Sequence, residues 1–259
     1  MLSTSQKWPK VYFLFICYFF LAFLQWPASY LIQNVSLPLG VLLNEGVFVA
    51  GIPLAITAMW RIPFAQLFPF KKPCVKTLFW LVVMTLSLLV VIDYLTFLSE
   101  QVLPLPPAVR AILERLMQIS SFEEGLWRWF LICLTPAFCE EIFFRGFFQK
   151  SLEHHWGENL GWVLTAVGFT LIHGIPWYWH LYFILGLYLG WLMLVGRNLW
   201  FPILAHLLNN SWTFFNHALN HKIPAHDTWH TMDSFVMGVC LMVFAVAAMR
   251  FSEACETTL

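Results

Sequence analysis

Long stretches of this chain are almost free of charged residues, and short segments between them hold most of the Lys, Arg, Asp and Glu. A helix of about 20 mostly apolar residues crosses the hydrocarbon core of a bilayer. The pattern predicts eight such spans, at residues 11–26, 39–60, 77–98, 126–148, 160–173, 179–195, 199–218 and 234–251. We therefore expect an all-α fold, a polytopic membrane helical bundle that forms a single membrane-embedded domain over residues 1–259.

The composition supports a membrane protein. The chain is 60% hydrophobic and only 11% charged, whereas soluble domains carry about 25% charged residues. The formal net charge is zero, so no basic surface indicates a nucleic-acid partner. The six cysteines are scattered and form no CxxC pair, and we interpret them as small buried apolar residues.

The basic residues predict the orientation, because Lys and Arg concentrate on the cytoplasmic side of a membrane. With the N-terminus inside, ten of the 14 basic residues are cytoplasmic and four are not. The four are Arg110, Arg115, Arg128 and Lys222. We expect both termini to be cytoplasmic in an integral protein of a bacterial inner membrane. Residues 106–121 alternate apolar and charged positions, which predicts an amphipathic helix at the outer interface.

The fourth predicted span contains charged residues at membrane depth. Glu141 and Arg145 are four residues apart and can form an ion pair on one helix face. Glu140 points about 100° away from Glu141 and has no partner on its own helix. Ionisable groups within a membrane are costly and usually face a protein interior. The alternative is that both glutamates are solvated at the cytoplasmic interface.

Three further polar residues lie in the fifth and seventh spans. His173 ends the fifth, while His206 and Asn210 stand one turn apart on the seventh. From the predicted ends of the spans, these residues and Glu140 lie roughly 10–18 Å above the cytoplasmic side. A single histidine in an apolar helix is usually a hydrogen-bonded structural residue, but four polar groups in one layer predict a common site.

Several other polar positions have simpler interpretations. Asp93 and Glu45 are predicted to be interfacial or helix-pairing groups, and His154 and His155 to be solvated. Gly186 and Gly190 on the sixth span are spaced for close helix packing. Four histidines near the last span are able to bind metal, but we favour solvated loop positions: His217, His221, His226 and His230.

The ordered motifs resemble those of the CAAX-protease and bacteriocin-processing (Abi) family of intramembrane endopeptidases. The family pattern is EExxxR, FxxxH, a glycine-spaced helix and HxxxN. In this chain the motifs run from Glu140 to Arg145, from Phe169 to His173, through Gly186 and Gly190, and from His206 to Asn210. Residues 136–210 are thus the predicted catalytic motif core of an eight-helix protease.

The resemblance also implies roles for the residues. Glu140 and His173 would activate a water molecule, His206 and Asn210 would donate hydrogen bonds to the oxyanion, and Arg145 would hold Glu141 as support. We prefer this glutamate–water mechanism without a cofactor. A zinc variant with Glu140, His173 and His206 as ligands stays open, although the chain has no HExxH motif and no GxSxG motif.

The expected substrate is a membrane-associated protein or peptide, and prenylated proteins are one such class. The other expected partner is the lipid bilayer. Two further hypotheses remain. One is a non-catalytic immunity or chaperone-like membrane protein on the same bundle. The other is a transporter, which the absence of two halves with matching broken helices disfavours.

Overall fold

A computed structural model describes residues 8–33, 36–220 and 232–257. Within these ranges the chain is helical and contains no strand, so the predicted all-α fold is confirmed. The longer helices are α1 (Val11–Gln33), α2 (Leu37–Met59), α3 (Val75–Val102), α4 (Pro107–Met117), α5 (residues 122–156), α6 (Glu158–Ile172), α7 (Trp179–Gly196), α8 (Trp200–Asn220) and α9 (Met232–Glu256).

Each predicted span corresponds to one of these helices, and the protein is an integral membrane protein. Four helices of the described ranges are long and apolar enough to cross a bilayer: Leu37–Met59, Val75–Val102, Pro176–Gly196 and Ser234–Glu256. Val11–Leu24 and Glu158–Ile172 are shorter apolar helices. The remaining two, α5 and α8, carry the polar residues of the predicted site, which lower their hydropathy.

Local sequence explains where several helices begin and end. The Ser121 hydroxyl accepts a hydrogen bond from the Glu124 backbone N–H at 3.1 Å and caps the start of α5. Gly157 has φ +87°, which separates α5 from α6. Arg197 adopts a left-handed conformation with φ 44° and terminates α7.

The amphipathic helix between the third and fourth spans is present but shorter than predicted. We expected it over residues 106–121, whereas α4 ends at Met117 and the backbone is extended at Gln118. The reason is that Ser120 and Ser121 provide the N-terminal cap of α5. Arg110 on α4 pairs with Glu100 at the end of α3, at 2.5 Å.

Helices α2 and α5 contain π-helical segments. In α2 the segment is Leu42–Gly51. In α5 the segments Phe130–Leu134 and Ile142–Gln149 flank the α-helical turns Thr135–Glu141. A π-helical turn holds more residues than an α-helical one, so it redirects the side chains that follow, and such turns are frequent at functional sites.

The centre of the bundle is α5. Every residue of its segment Ile142–Gln149 is buried. The helix packs against α2, α6 and α8, whereas α3 and α9 form an extensive pair beside it. Polar side chains on α5 are therefore enclosed by protein, and this burial is the basis of the site described next.

Candidate active site

Glu141 and Arg145 form an ion pair at the centre of the bundle. Arg145 Nη1 donates to Glu141 Oε1 at 2.9 Å, and both side chains are 0% exposed. The predicted pair is thus confirmed, and the alternative of two solvated glutamates is wrong. The same oxygen of Glu141 accepts a hydrogen bond from His206 Nδ1 at 2.8 Å, so a residue of α8 joins the pair.

Two side chains of α5 also bind the backbone of α7. Arg145 Nη2 donates to the Gly186 carbonyl at 3.2 Å, and Gln149 Nε2 donates to the Gly190 carbonyl at 3.0 Å. Arg145 and Gln149 are four residues apart, and so are Gly186 and Gly190. The second hydrogen bond therefore lies about one helical turn beyond the first. The predicted close packing at these glycines is present, whereas the two hydrogen bonds were not predictable from the spacing of the glycines.

Glu140 faces away from this ion pair and towards His173. Glu140 Oε2 lies 4.0 Å from His173 Nε2, and the two side chains are 14% and 21% exposed. Glu140 Oε2 is buried and has no hydrogen-bond partner. The expectation that Glu140 lacks a partner on its own helix therefore holds.

The orientation of His173 follows from its other nitrogen. His173 Nδ1 lies 2.7 Å from the carbonyl oxygen of Phe169. A carbonyl oxygen only accepts, so Nδ1 carries a proton, and in the neutral form of the ring Nε2 presents a lone pair. The ring is also stacked on Tyr182, with centroids 4.1 Å apart.

The Phe169 ring connects the two groups of polar residues. Its centroid lies 4.6 Å from that of His173 and 5.9 Å from that of His206. The Arg145 guanidinium carbon lies 4.4 Å from the same ring centroid, a cation–π distance. The Glu140–His173 pair and the Glu141–Arg145–His206 cluster are therefore neighbours across one aromatic side chain.

Asn210 lies further along α8. Its Nδ2 donates to the Cys133 carbonyl at 3.5 Å, and its Oδ1 accepts from Asn209 Nδ2 at 3.1 Å. Cys133 precedes Glu140 by two helical turns, roughly 10 Å along α5. Asn210 is therefore on the Cys133 side of Glu140, and among the described residues its hydrogen bonds are to Asn209 and Cys133, not to Glu140 or either histidine.

Glu45 is only 5% exposed within the π-helical segment of α2, which packs against α5. Of the two predicted roles, its burial fits the helix-pairing group and not the interfacial one. Glu45 interacts electrostatically with Glu140. The clue in the sequence was the polar pair Asn44-Glu45 inside an apolar run, and it gave no information about which helix faces that pair.

The zinc alternative needs Glu140, His173 and His206 around one ion. Within the described ranges, no three His, Cys, Asp or Glu side chains are placed to hold a metal ion. His206 contacts Glu141 instead of Glu140, so the required ligand set does not form. No step below therefore involves a metal.

The remaining polar positions have structural contacts. Asp93 accepts a hydrogen bond from Trp212 Nε1 at 2.7 Å, which confirms its interpretation as a helix-pairing group. His154 stacks on Trp8, and His155 contacts the Pro9 carbonyl at 2.9 Å. None of the six cysteines, all of which lie in the described ranges, forms a disulfide. The predictions for His221, His226 and His230 lie outside the described residues.

The fold and the site define a class: a polytopic helical membrane protein with a buried Glu/His pair beside a buried Glu/Arg/His cluster. The comparison with protein families identifies the group that this class resembles. The model of the Rce1-like type II CAAX prenyl endopeptidase family matches residues 122–212. The resemblance is thereby confirmed for a segment that runs from the start of α5 into α8.

The matched segment contains every motif named above, and a match to this family supports a membrane peptidase. No curated protein and no solved structure matches the chain.

Proposed function

We propose that this protein is an intramembrane endopeptidase in which Glu140 and His173 activate a water molecule. The observation that carries the proposal is the pair of acceptors, Glu140 Oε2 and His173 Nε2, at 4.0 Å from each other. A neutral histidine and a carboxylate do not bond to each other without a proton between them. A water molecule satisfies both, because it donates one proton to each.

The reaction then follows from this arrangement. Glu140 takes a proton from the water while the water oxygen attacks the peptide carbonyl carbon. The π electrons of the carbonyl bond move onto the carbonyl oxygen, which becomes the oxyanion. When this tetrahedral intermediate collapses, the C–N bond breaks and the proton passes from Glu140 to the departing nitrogen. The products are a carboxylic acid, which then loses its proton, and an amine. Glu140 has given up the proton that it took from the water and is again a carboxylate.

His206 and Asn210 are the proposed donors to the oxyanion. Glu141 accepts from His206 Nδ1, so Nε2 is the ring nitrogen of His206 left for the oxyanion, to which it donates when it carries a proton. The hydrogen bond from Asn209 fixes Asn210 Oδ1, and one amide N–H of Asn210 faces the Cys133 carbonyl, so its other N–H is left for an acceptor. Donors of this kind contribute about 3–4 kcal/mol each to transition-state stabilisation.

Arg145 and Glu141 support the site without contacting the substrate. The ion pair holds Glu141 in place for His206, and the bonds to Gly186 and Phe169 fix Arg145 against α7 and α6. Because both side chains are fully buried, the pair sets the register between three helices.

The proposed substrate is a membrane-associated protein or peptide, since the candidate site lies on the spanning helices and its charges are enclosed by protein. Prenylated proteins are one class of such substrates. The excess of basic residues on one side favours cytoplasmic termini in a bacterial inner membrane.

Substitution of Glu140 by Gln tests the proposal, because it preserves the shape of the side chain and removes its basicity. Membranes that contain wild type or Glu140→Gln would be compared by proteomics for peptides that differ, and the identified substrate would be assayed with purified protein. We expect turnover to be lost while substrate binding persists. Asp93→Asn is the control, as it neutralises a half-buried carboxylate of the bundle outside the site and should retain activity.

Elemental analysis of the active preparation tests the mechanism separately. Stoichiometric zinc, inactivation by chelators and recovery on zinc addition would overturn the glutamate–water mechanism. Cleavage by Glu140→Gln at the wild-type rate would overturn the endopeptidase assignment of this site.

A further inference from the structure

Glu45 and Glu140 each have a buried carboxylate oxygen without a partner. Glu45 is 5% exposed, and its Oε2 makes no hydrogen bond. Glu140 Oε2 is likewise unsatisfied. The π-helical segment of α2 packs against the turns of α5 that carry Glu140, and the two carboxyl groups interact electrostatically. Two interacting buried carboxylates also carry like charges, which a water molecule does not neutralise, so the pair requires a proton or a cation.

Charge balance excludes the cation among the described residues. Arg145 is the cation that acts on Glu140, and it is already bonded to Glu141 at 2.9 Å. The other ionisable groups next to Glu140 are Glu141 and the Cys139 thiol on α5, Tyr182 on α7, and His173 on α6, whose Nε2 lies 4.0 Å from Glu140 Oε2. Helix α1, which also packs against α2, has Cys17 and Tyr18 as buried ionisable groups. None of these groups carries a positive charge when His173 is the neutral acceptor of the proposed mechanism.

A shared proton satisfies both groups. Like carboxylates at close range in a low dielectric do not both ionise, so the pair retains one proton. Glu45 Oε1 accepts from Asn44 Nδ2 at 2.9 Å. That contact makes Oε1 the acceptor oxygen of a neutral acid and leaves Oε2 to carry the proton.

We infer that Glu45 is a positioning residue whose protonated Oε2 donates to the carboxylate of Glu140 and stabilises the charge of Glu140 inside the membrane. This inference rests on the proposed role of Glu140 as the base. Glu45 itself does not touch the substrate. A neutral donor from α2 supplies the hydrogen bond that water would give the carboxylate outside the membrane.

Two substitutions separate this role from a purely structural one. In Glu45→Gln the amide N–H still donates to Glu140, so the acidic limb of the pH–rate profile should stay in place. In Glu45→Met the donor is lost, and a hydrogen bond to a charged group is worth about 1.5–3 kcal/mol. The acidic limb should therefore move about one to two pH units higher.

Infrared spectroscopy reads the proton directly. Wild type at neutral pH should show the C=O band of a protonated carboxylic acid that Glu45→Gln abolishes. Glu140→Gln should retain that band and move it to higher frequency, because an amide oxygen accepts a weaker hydrogen bond than a carboxylate. Asp93→Asn removes a carboxyl group outside the pair and should leave the band unchanged.

The result that overturns the inference is persistence of the band in Glu45→Gln, or an acidic limb that moves to lower pH in both Glu45 variants. The latter would show an ionised Glu45 that repels Glu140. If Glu45→Met does not fold, the band in Glu45→Gln still decides. The infrared band does not depend on turnover. Retained cleavage by Glu140→Gln would therefore refute Glu140 as the base, while the loss or persistence of the band in Glu45→Gln would still decide whether Glu45 carries the proton.

Discussion

Removal of the Arg145 side chain should destabilise the fold more than any change at the surface. Arg145 is 0% exposed and is bonded to Glu141 Oε1 and to the Gly186 carbonyl. Arg145→Ala would leave the Glu141 carboxylate buried with only His206 as a partner. Breaking a buried ion pair by removing one member costs about 3–5 kcal/mol, because the other charge stays without compensation.

That cost is measurable as a change in melting temperature. For a chain of this size, 1 kcal/mol corresponds to about 2–4 °C, so Arg145→Ala should melt about 6–20 °C below wild type. Thermal unfolding of detergent-solubilised protein and the yield of folded protein are the measurements. The matched control is Arg250→Ala, which breaks an ion pair with Glu253 whose side chains are 57% and 56% exposed. Exposed pairs contribute about 0–1 kcal/mol, so this control should melt close to wild type.

A double variant tests the cause. In Glu141→Gln with Arg145→Gln no charge is left unpaired, so part of the lost stability should return, as a double-mutant cycle would show. If Arg145→Ala melts at the same temperature as wild type but selectively loses cleavage, the structural role of Arg145 is refuted. Arg145 would then have a direct role in the reaction.

Two further outcomes are expected. Asn210→Ala should lower turnover by about 10²–10³-fold with an unchanged melting temperature. Asn209→Ala only releases the Asn210 oxygen and should lower turnover less. Equal activity of wild type and Asn210→Ala in a turnover assay would exclude Asn210 as an oxyanion donor. Gly190→Ala should destabilise the protein by about 1–3 kcal/mol, because its Cβ would lie 2.6 Å from Trp162 Cδ1 and 3.0 Å from Gln149 Oε1. The control Gly238→Ala has no heavy atom within 4 Å of its Cβ and should be neutral, and comparable thermal shifts for the two would contradict the packing argument.

The sequence predicted the features that depend on local spacing. The helical membrane bundle follows from apolar runs of spanning length, and the Glu141–Arg145 pair follows from a separation of four residues on one helix. The direction of Glu140 away from that pair follows from the rotation between adjacent residues. Each of these features is a property of a single helix, so no knowledge of its neighbours was needed.

Features that depend on which helices face each other were not predictable. Glu45 was predicted to be either interfacial or helix-pairing, because the sequence does not show how α2 packs on α5. His206 was expected beside Glu140 but bonds to Glu141 at 2.8 Å. The π-helical segments on α2 and α5 were not predicted either, and each changes the direction of the residues after it.

In the proposed mechanism the two adjacent glutamates have different roles, Glu141 in stability and Glu140 in the reaction. Glu141 is 0% exposed, and one of its oxygens accepts from both Arg145 and His206. Glu140 keeps a buried oxygen without a partner and lies 4.0 Å from His173. An unsatisfied acceptor at this depth costs free energy, and the neighbouring ion pair and the packing around Phe169 hold it in place. Glu141 Oε2 also lacks a hydrogen bond, but Arg145 pairs with the Glu141 carboxylate, and a carboxylate paired with a cation is a weaker base. The double-glutamate motif is therefore best understood as two residues that share a helix turn but face different partners.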